Sequence, residues 1–137
     1  MIPNFRVWDE ETKTMFDVKG INYNLKVVYG LNTEYIEYNQ KMFPFKDYPI
    51  MQSTGLLDKT GKEIFEGDVV EILKYHDLYD NLLESPIKFT GLVDFDEGQW
   101  KIISKKGRLS LFSKDTEIEL VGNKYMGEYK EFLNEDK

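Results

Sequence analysis

The segment 51–72 constrains the fold most strongly, because it sets turn signals around short apolar runs. Asp58-Lys-Thr-Gly61 has the residue order of a type I β-turn, in which the Asp carboxylate can accept a backbone N–H two residues further on. In Glu66-Gly67-Asp68, the glycine can take the positive φ that a second tight turn needs. Val69–Tyr75 then follows, with the β-branched residues that are typical of strands. The segment therefore predicts a compact β domain.

Short strand patterns separated by turn signals continue along the rest of the chain. Phe5–Trp8 and Thr14–Val18 flank a polar stretch and predict an N-terminal β-hairpin. Gly91 predicts an interruption or a bulge in one of the later strands. His76–Pro86 is compatible with either a helical turn or a long loop. The remaining strands are predicted at Leu25–Tyr29, Ile87–Phe95, Gln99–Ser104, Arg108–Phe112 and Glu117–Val121, with a weaker candidate at Tyr35–Tyr38.

The C-terminal segment has a different periodicity. Met126, Tyr129 and Leu133 lie at i, i+3 and i+7, which predicts one face of a short helix. The 137 residues suit one domain, and no repeat or linker divides them. We therefore expect a mainly β fold, namely a single, small, barrel-like antiparallel β domain over residues 1–137 with an N-terminal hairpin and a short C-terminal helix.

The composition excludes several classes of site. The chain has no cysteine, which rules out disulfides, thiolate nucleophiles and Cys-based zinc or iron–sulfur sites. The N-terminus lacks the apolar core of a signal peptide, and no apolar run approaches the ~20 residues that a membrane helix needs. We therefore expect a cytoplasmic protein with no membrane partner.

Residues of catalytic type are present, but they form no recognisable catalytic set. The single histidine, His76, precedes Asp77 without any nucleophile motif in the chain. Asp94–Gly98 resembles the start of a calcium loop, but the strand patterns on either side favour a hairpin turn. Turn capping explains Asp58 and Asp68 without catalysis. We predict no catalytic residue, metal ligand or cofactor, and keep as a weaker alternative a metal-dependent hydrolase built on the carboxylates Asp58, Glu63, Glu66 and Asp68.

Two segments carry surplus aromatic or apolar residues that suit protein contacts. Met42–Pro49 contains two prolines, which argue against a central strand or a helix interior and predict an irregular segment. Its aromatic rings either plug one end of the core or form an exposed loop for a partner subunit. The second segment spans residues 78–83. The predicted interaction residues are Phe43, Phe45, Tyr48, Leu78, Tyr79 and Leu82.

Residues 99–114 form a basic stretch in a chain whose formal net charge is −7. They contain no acidic residue, and Trp100 and Phe112 are interleaved with the cations. A basic hairpin of this kind could hold a nucleic-acid strand by charge and stacking, or it could be a solvated tip that offsets the acidic surface elsewhere. Strand alternation weakens the binding interpretation, because the cations need not share a face with Trp100, and the net charge repels polyphosphate. The cations are Lys101, Lys105, Lys106, Arg108 and Lys114.

Five motifs occur along the chain, at Phe5–Asp9, Ser53–Leu56, Asp58–Ile64, Glu66–Val70 and Glu119–Asn123. In content and order they resemble those of the YopX-like proteins, which are small proteins of bacteriophages and prophages, mostly in Gram-positive hosts. Segments 35–45 and 76–86 look longer than is usual in that family, and Tyr125–Tyr129 replaces its usual C-terminal ending. The resemblance implies a mainly β, barrel-like fold with little helix and a phage origin, and it brings no activity, cofactor or catalytic residue.

These observations favour a non-enzymatic phage or prophage accessory protein in the cytoplasm of a bacterial host. We expect it to act through contacts with another protein or with a second copy of itself. The alternative is a nucleic-acid-binding module that uses the basic hairpin at residues 99–114.

Overall fold

The computed structural model describes residues 4–32, 40–77, 79, 81–105, 107–111 and 116–126. In this part of the chain, eleven β-strands form two antiparallel sheets, and there is no helix. The chain divides into two compact units, Met1–Gly55 and Leu56–Lys137. The predicted mainly β, antiparallel fold is confirmed, whereas one domain over residues 1–137 stays a prediction. Among the described residues, no helix is long and apolar enough to cross a membrane.

Both sheets are open. The first has the order β4-β3-β2-β1-β5-β6 and the second has the order β10-β9-β8-β7-β11, where numbers follow the chain. The predicted barrel is wrong, because the end strands of each order do not pair with each other as barrel closure requires. The strands of the first sheet are β1 (Phe5–Asp9), β2 (Thr14–Asn22), β3 (Val27–Leu31), β4 (Gln40–Pro44), β5 (Ile50–Leu57) and β6 (Glu63–Phe65). Those of the second are β7 (Asp68–His76), β8 (Leu82–Asp96), β9 (Gln99–Ser104), β10 (Gly107–Ser110) and β11 (Thr116–Asn123).

The first unit has its own hydrophobic core. β1 and β2 pair as the predicted N-terminal hairpin, which is confirmed. The rings of Phe16 and Phe43 meet edge to face with their centroids 5.1 Å apart. Gly30 leaves room for both, because a Cβ there would lie 2.7 Å from the Phe43 ring and 2.9 Å from Phe16 Cβ. The buried residues of this core are Val7, Phe16, Val28 and Phe43.

The second unit has a separate core around β7. The predicted strand Val69–Tyr75 is confirmed as the middle of β7, which lies between β8 and β11. The predicted bulge at Gly91 is wrong, since β7 and β8 pair regularly there and the register shifts between Lys74 and His76 instead. Gly91 provides space, because a Cβ would lie 2.7 Å from a side-chain carbon and a carbonyl oxygen of β9. The buried core residues are Ile64, Val70, Ile72, Val93, Ile102 and Leu111.

The longest strand, β8, extends further than the sequence pattern predicts. Residues 82–86 belong to it, so the predicted loop or helical turn at residues 76–86 is wrong for that part. Glu97 and Gly98 connect β8 to β9 with φ values of 52° and 78°. Two successive positive φ values are typical of a type I′ hairpin turn. The predicted hairpin turn at Asp94–Gly98 is therefore confirmed.

The predicted C-terminal helix has no support in the described residues. Tyr125 and Met126 lie in a turn after β11, where the Tyr125 N–H donates to Asn123 Oδ1 at 2.8 Å. Residues 127–133 of the predicted helix lie outside the described part of the chain. The weak strand candidate Tyr35–Tyr38 also lies outside it.

Candidate protein-interaction surface

An open groove of about 340 Å³ lies on the first unit, beside the edge strand β4. Its volume is at the lower end of the roughly 300–1,000 Å³ that is typical of small-molecule pockets. The groove therefore suits a single side chain or a small group. No acidic residue is among the described residues that line it. They come from β2, β3 and β4 and are Lys19, Tyr29, Gly30, Leu31, Gln40, Lys41 and Met42.

Strand alternation brings apolar side chains to the groove. Val28 and Phe43 are cross-strand partners that point into the first core, so Tyr29 and Met42, the next pair, point to the opposite face. Tyr29 is 42% exposed and Met42 is 54% exposed. Because these two residues are also cross-strand partners, they form one continuous apolar wall.

An exposed cation of the groove lies at a β-bulge. The register between β2 and β3 shifts between Val18 and Gly20, so Lys19 is an extra residue with no direct partner on β3. Bulges of this kind re-aim a side chain relative to the regular pleat. Lys19 is exposed and lines the groove.

Backbone groups of β4 face the open edge of the sheet. The Phe45 N–H donates to Lys26 O at 2.9 Å, which identifies the hydrogen-bonded positions of the β3–β4 ladder. Because such positions alternate in an antiparallel pair, the N–H and C=O groups of Met42 and Gln40 point away from β3. Pro44 occupies the third outward position, where its missing N–H costs no ladder hydrogen bond. The proline-containing segment, predicted to be irregular, therefore begins as an edge strand.

An ion pair ties β4 to the end of β1. Lys41 Nζ lies 2.8 Å from Asp9 Oδ2 and 3.7 Å from Glu11 Oε2, and the Asp9 side chain is completely buried. Burial alone would raise the pKa of Asp9, but hydrogen bonds from Lys41 and Thr12 outweigh it and hold that pKa below its usual value. The hydrogen bond to Asp9 raises the pKa of Lys41 in turn. The Lys41 charge is thus balanced within the fold, and Lys19 supplies the exposed charge among the lining residues that the structure describes.

The three predicted interaction residues of the first segment lie at or near the core. Phe43 is completely buried, and its ring packs inside the first unit. Phe45 and Tyr48 are partly buried and pack against the same core. The interpretation in which these aromatic rings fill the core therefore fits Phe43, and a contact role for Phe45 and Tyr48 stays a prediction.

Predicted interaction residues of the second segment are exposed where the structure describes them. Tyr79 is 85% exposed and Leu82 is 74% exposed. The Tyr79 N–H donates to Asp77 Oδ1 at 2.8 Å in the turn between β7 and β8. Leu78 lies outside the described residues. A contact role for this segment stays a prediction.

Acidic residues at the end of β8 balance part of the predicted basic hairpin. Lys101 Nζ lies 3.3 Å from Glu97 Oε2 and 3.6 Å from Asp96 Oδ2. Arg108 forms ion pairs with the same two carboxylates. Residues 99–114 contain no acidic residue. The tight turn between β8 and β9 nevertheless pairs the two strands, so that β9 lies beside Asp96. The positive charge of this hairpin is therefore partly neutralised.

Arg108 and the Trp100 ring also lie on different faces of the second sheet. Arg108 is opposite Ile103 in the β9–β10 register, and Ile103 points away from the face of Trp100 because three positions separate them. Trp100 packs against the second core. Lys105 is exposed in the β9–β10 turn, and Lys106 lies outside the described residues. This hairpin does not combine Arg108 and Trp100 into one stacking surface.

The predicted carboxylate cluster is occupied with structural hydrogen bonds, beginning with Asp58. Its Oδ1 accepts from Thr60 N at 2.8 Å, Thr60 Oγ1 at 2.7 Å and Lys62 N at 2.9 Å, and its Oδ2 accepts from Leu120 N at 3.0 Å. The N–H that follows Asp58 donates to a β11 carbonyl at 2.8 Å. Burial raises the pKa of Asp58, but the hydrogen bonds, from Leu120 first, outweigh it and hold that pKa far below its usual value. The predicted turn is confirmed, and it covers the outer edge of β11.

Asp68 has a similar structural role at the other end of β11. It is 1% exposed, and its carboxylate accepts from Phe65 N at 2.8 Å and from Asn123 Nδ2 at 3.2 Å. Glu63 and Glu66 are partly buried. Among the described residues, no group of three His, Asp or Glu side chains forms a metal-binding cluster. Nothing in this arrangement favours the hydrolase alternative.

The groove could not be predicted from the sequence, for identifiable reasons. Tyr29 ends the run Leu25–Tyr29, in which Val27 and Val28 are both buried, so no alternation marks an outward residue. The Lys19-Gly20 pair looks like turn punctuation but forms a bulge. Only a known strand register would have brought these positions together.

Comparison with known proteins identifies relatives of this fold. A family model described as YopX protein matches residues 4–128. The crystal structure of protein yopX from Bacillus subtilis is similar, with a TM-score of 0.58 and 19% identity over 95% of this chain and 97% of that chain. The crystal structure of protein EF1440 from Enterococcus faecalis matches with a TM-score of 0.49 and 22% identity, over 92% of this chain and 95% of that chain. A search of the curated proteins finds no match.

Proposed function

This chain belongs to the YopX protein family, and from that premise we propose that it is a non-enzymatic accessory protein of a phage or prophage. It acts in the cytoplasm of a bacterial host through contacts with another protein or with a second copy of itself. The resemblance of its five motifs to phage and prophage proteins supports the proposed origin.

The groove is the observation that carries this proposal. Tyr29 and Met42 form an exposed apolar wall on the outer face of the first sheet. Outward backbone groups of β4 lie directly beside this wall. Exposed apolar surface next to unpaired strand edges is typical of surfaces that receive a partner.

The use of the motif carboxylates supports a non-enzymatic role. Asp58 and Asp68 are buried, and both accept backbone N–H donors in turns that hold β11. A general base needs a lone pair directed at a substrate proton. These two carboxylates direct theirs at backbone and side-chain donors of the fold itself.

Site-specific photo-crosslinking in host cells tests the proposal. A benzophenone amino acid replaces Met42 in one variant and the exposed Gln99, on the second unit, in a matched control. We expect a discrete adduct from position 42 and none from position 99, with its mass distinguishing a host or phage protein from a second copy. A further variant at Tyr79 probes the exposed second segment. Absence of adducts at positions 42 and 79, together with a monomer in light scattering at high concentration, would contradict the proposal.

A further inference from the structure

The groove combines three features that together define the chemistry of an occupant. Its wall is apolar, from Tyr29 and Met42. Its rim carries an exposed cation, Lys19, and no described lining residue is acidic, while exposed Asp17 lies next to the rim as the cross-strand partner of Leu31. Its border is a strand edge whose outward N–H and C=O groups belong to Gln40 and Met42.

Resting on the proposed function, we propose that the groove binds a short extended segment of a partner protein that places a bulky apolar side chain next to Asp or Glu. The apolar side chain enters between Tyr29 and Met42. The acidic side chain lies beside Lys19. The segment's backbone pairs with the outward groups of β4, which is how extended peptides commonly add to a sheet edge.

Pro44 limits the length of this pairing. It offers a carbonyl but no N–H at the third outward position. Only Gln40 and Met42 can therefore both donate and accept along β4, so the paired stretch is about three residues long on each strand. A contact this short gains little from the backbone alone, and the side chain in the groove must supply much of the affinity.

An acidic peptide fits this charge pattern better than a nucleic acid does. The chain carries a net charge of −7. This charge repels every phosphate of a nucleic acid, whereas a short peptide with one carboxylate is repelled much less. Lys41, the second lysine of the groove, is already balanced by Asp9 at 2.8 Å and by Glu11 at 3.7 Å. One exposed cation suits one carboxylate, whereas non-specific nucleic-acid binding relies on several phosphate contacts.

Panning a random peptide display library on the purified full-length protein tests the inference. We expect enriched peptides to share a bulky apolar residue adjacent to Asp or Glu. Synthetic peptides from that consensus should bind Lys19→Glu about fivefold more weakly, and this loss should shrink at high salt. Met42→Ala should also weaken binding about fivefold through lost apolar contact. Lys46→Glu is the matched control, because Lys46 is exposed in the same unit but does not line the groove, and it should change affinity less than twofold.

Each other outcome overturns the inference in a distinguishable way. A consensus whose binding is unchanged by Lys19→Glu and Met42→Ala would place the contact elsewhere and leave the proposed function standing. Enriched basic peptides, or displacement of the bound peptide by single-stranded DNA, would assign a different ligand class to the groove. No enrichment, combined with no photo-adduct in cells, would remove both the inference and the proposed function. Circular dichroism confirms that each variant is folded, and Lys19→Gln replaces Lys19→Glu if the charge reversal prevents folding.

Discussion

Asp58 should contribute strongly to stability, and Asp58→Ala tests this directly. Asp58 is 6% exposed, and its carboxylate accepts four hydrogen bonds, three of them from backbone N–H groups of Thr60, Lys62 and Leu120. The Leu120 bond crosses from the loop to β11. Alanine removes both carboxylate acceptors at once, whereas the backbone bond from Lys59 N–H to Ile118 O remains.

The magnitude follows from the number of donors left without an acceptor. A net hydrogen bond to a charged group contributes roughly 1.5–3 kcal/mol, and a neutral one about 1 kcal/mol. The Thr60 hydroxyl can rotate to water, so we assign it no cost. We assign about 1 kcal/mol to each of the two backbone donors within the loop and about 2 kcal/mol to the Leu120 donor. The free energy of unfolding should therefore fall by about 4 kcal/mol, a large part of the ~5–15 kcal/mol that is typical of native proteins.

Asp77 provides a matched control within the same chain. Its Oδ1 accepts from Tyr79 N at 2.8 Å and Asn81 N at 2.9 Å, which repeats the spacing of the Asp58 loop, but these bonds are exposed and tie to no other strand. Urea unfolding followed by tryptophan fluorescence measures both variants. Asp58→Ala should lower the midpoint much more than Asp77→Ala does. Equal shifts, or a loss below about 1 kcal/mol for Asp58→Ala, would refute the argument that burial and the bond to β11 set the cost.

Three further predictions follow from the same structure. The folded-state pKa of Asp58 lies below its unfolded value, so the contribution of its carboxylate to the free energy of unfolding is complete above about pH 4 and is lost as the pH falls further. In urea titrations, the stability difference between the unmodified protein and Asp58→Asn should therefore be smaller at pH 3 than at pH 7. Lys41→Met should lower the free energy of unfolding by about 3–5 kcal/mol, because it leaves the buried Asp9 carboxylate without its cation. In a double-mutant cycle, adding Asp9→Asn to Lys41→Met should recover a large part of this loss. Gly91→Ala should lower stability by about 1–3 kcal/mol, since its Cβ would lie 2.7 Å from β9, whereas Gly20→Ala, with its nearest contact at 3.4 Å, should change it much less in thermal unfolding.

Local chemistry made the turns and single strands predictable from the sequence. The Asp58–Gly61 turn, the hairpin turn at Glu97-Gly98 and the strand at Val69–Tyr75 each depend on residues that lie close together in the chain. The open sheets were not predictable in this way. β11 pairs with β7 across about fifty residues, and no local pattern records such a partner. The predicted barrel failed at that step, because strand patterns alone do not show whether the end strands of a sheet meet.

The candidate site was predictable only in part, for the same reason. Met42 lies in a segment that the sequence marks as a contact region, but the aromatic neighbour that drew attention, Phe43, points into the core. A single step along the strand exchanges the buried and exposed faces. Lys19 lies at a bulge that interrupts the regular pairing of β2 with β3. Register and bulges are properties of paired strands, and one strand's sequence does not determine them.

The position of the family motifs separates the architecture from the proposed contact surface. The motif at Asp58–Ile64 hydrogen-bonds to β11 through Asp58, and the motif at Glu66–Val70 does so through Asp68 and Asn123. Three motifs thus meet at one strand, and their distinctive Asp, Gly and Asn residues hold turns and edges in place. The groove, by contrast, is built from residues outside all five motifs. Motifs that determine the fold place no constraint on a surface outside them. We therefore expect relatives that share the motifs to keep the two sheets but to bind different partner segments at their β4 edge.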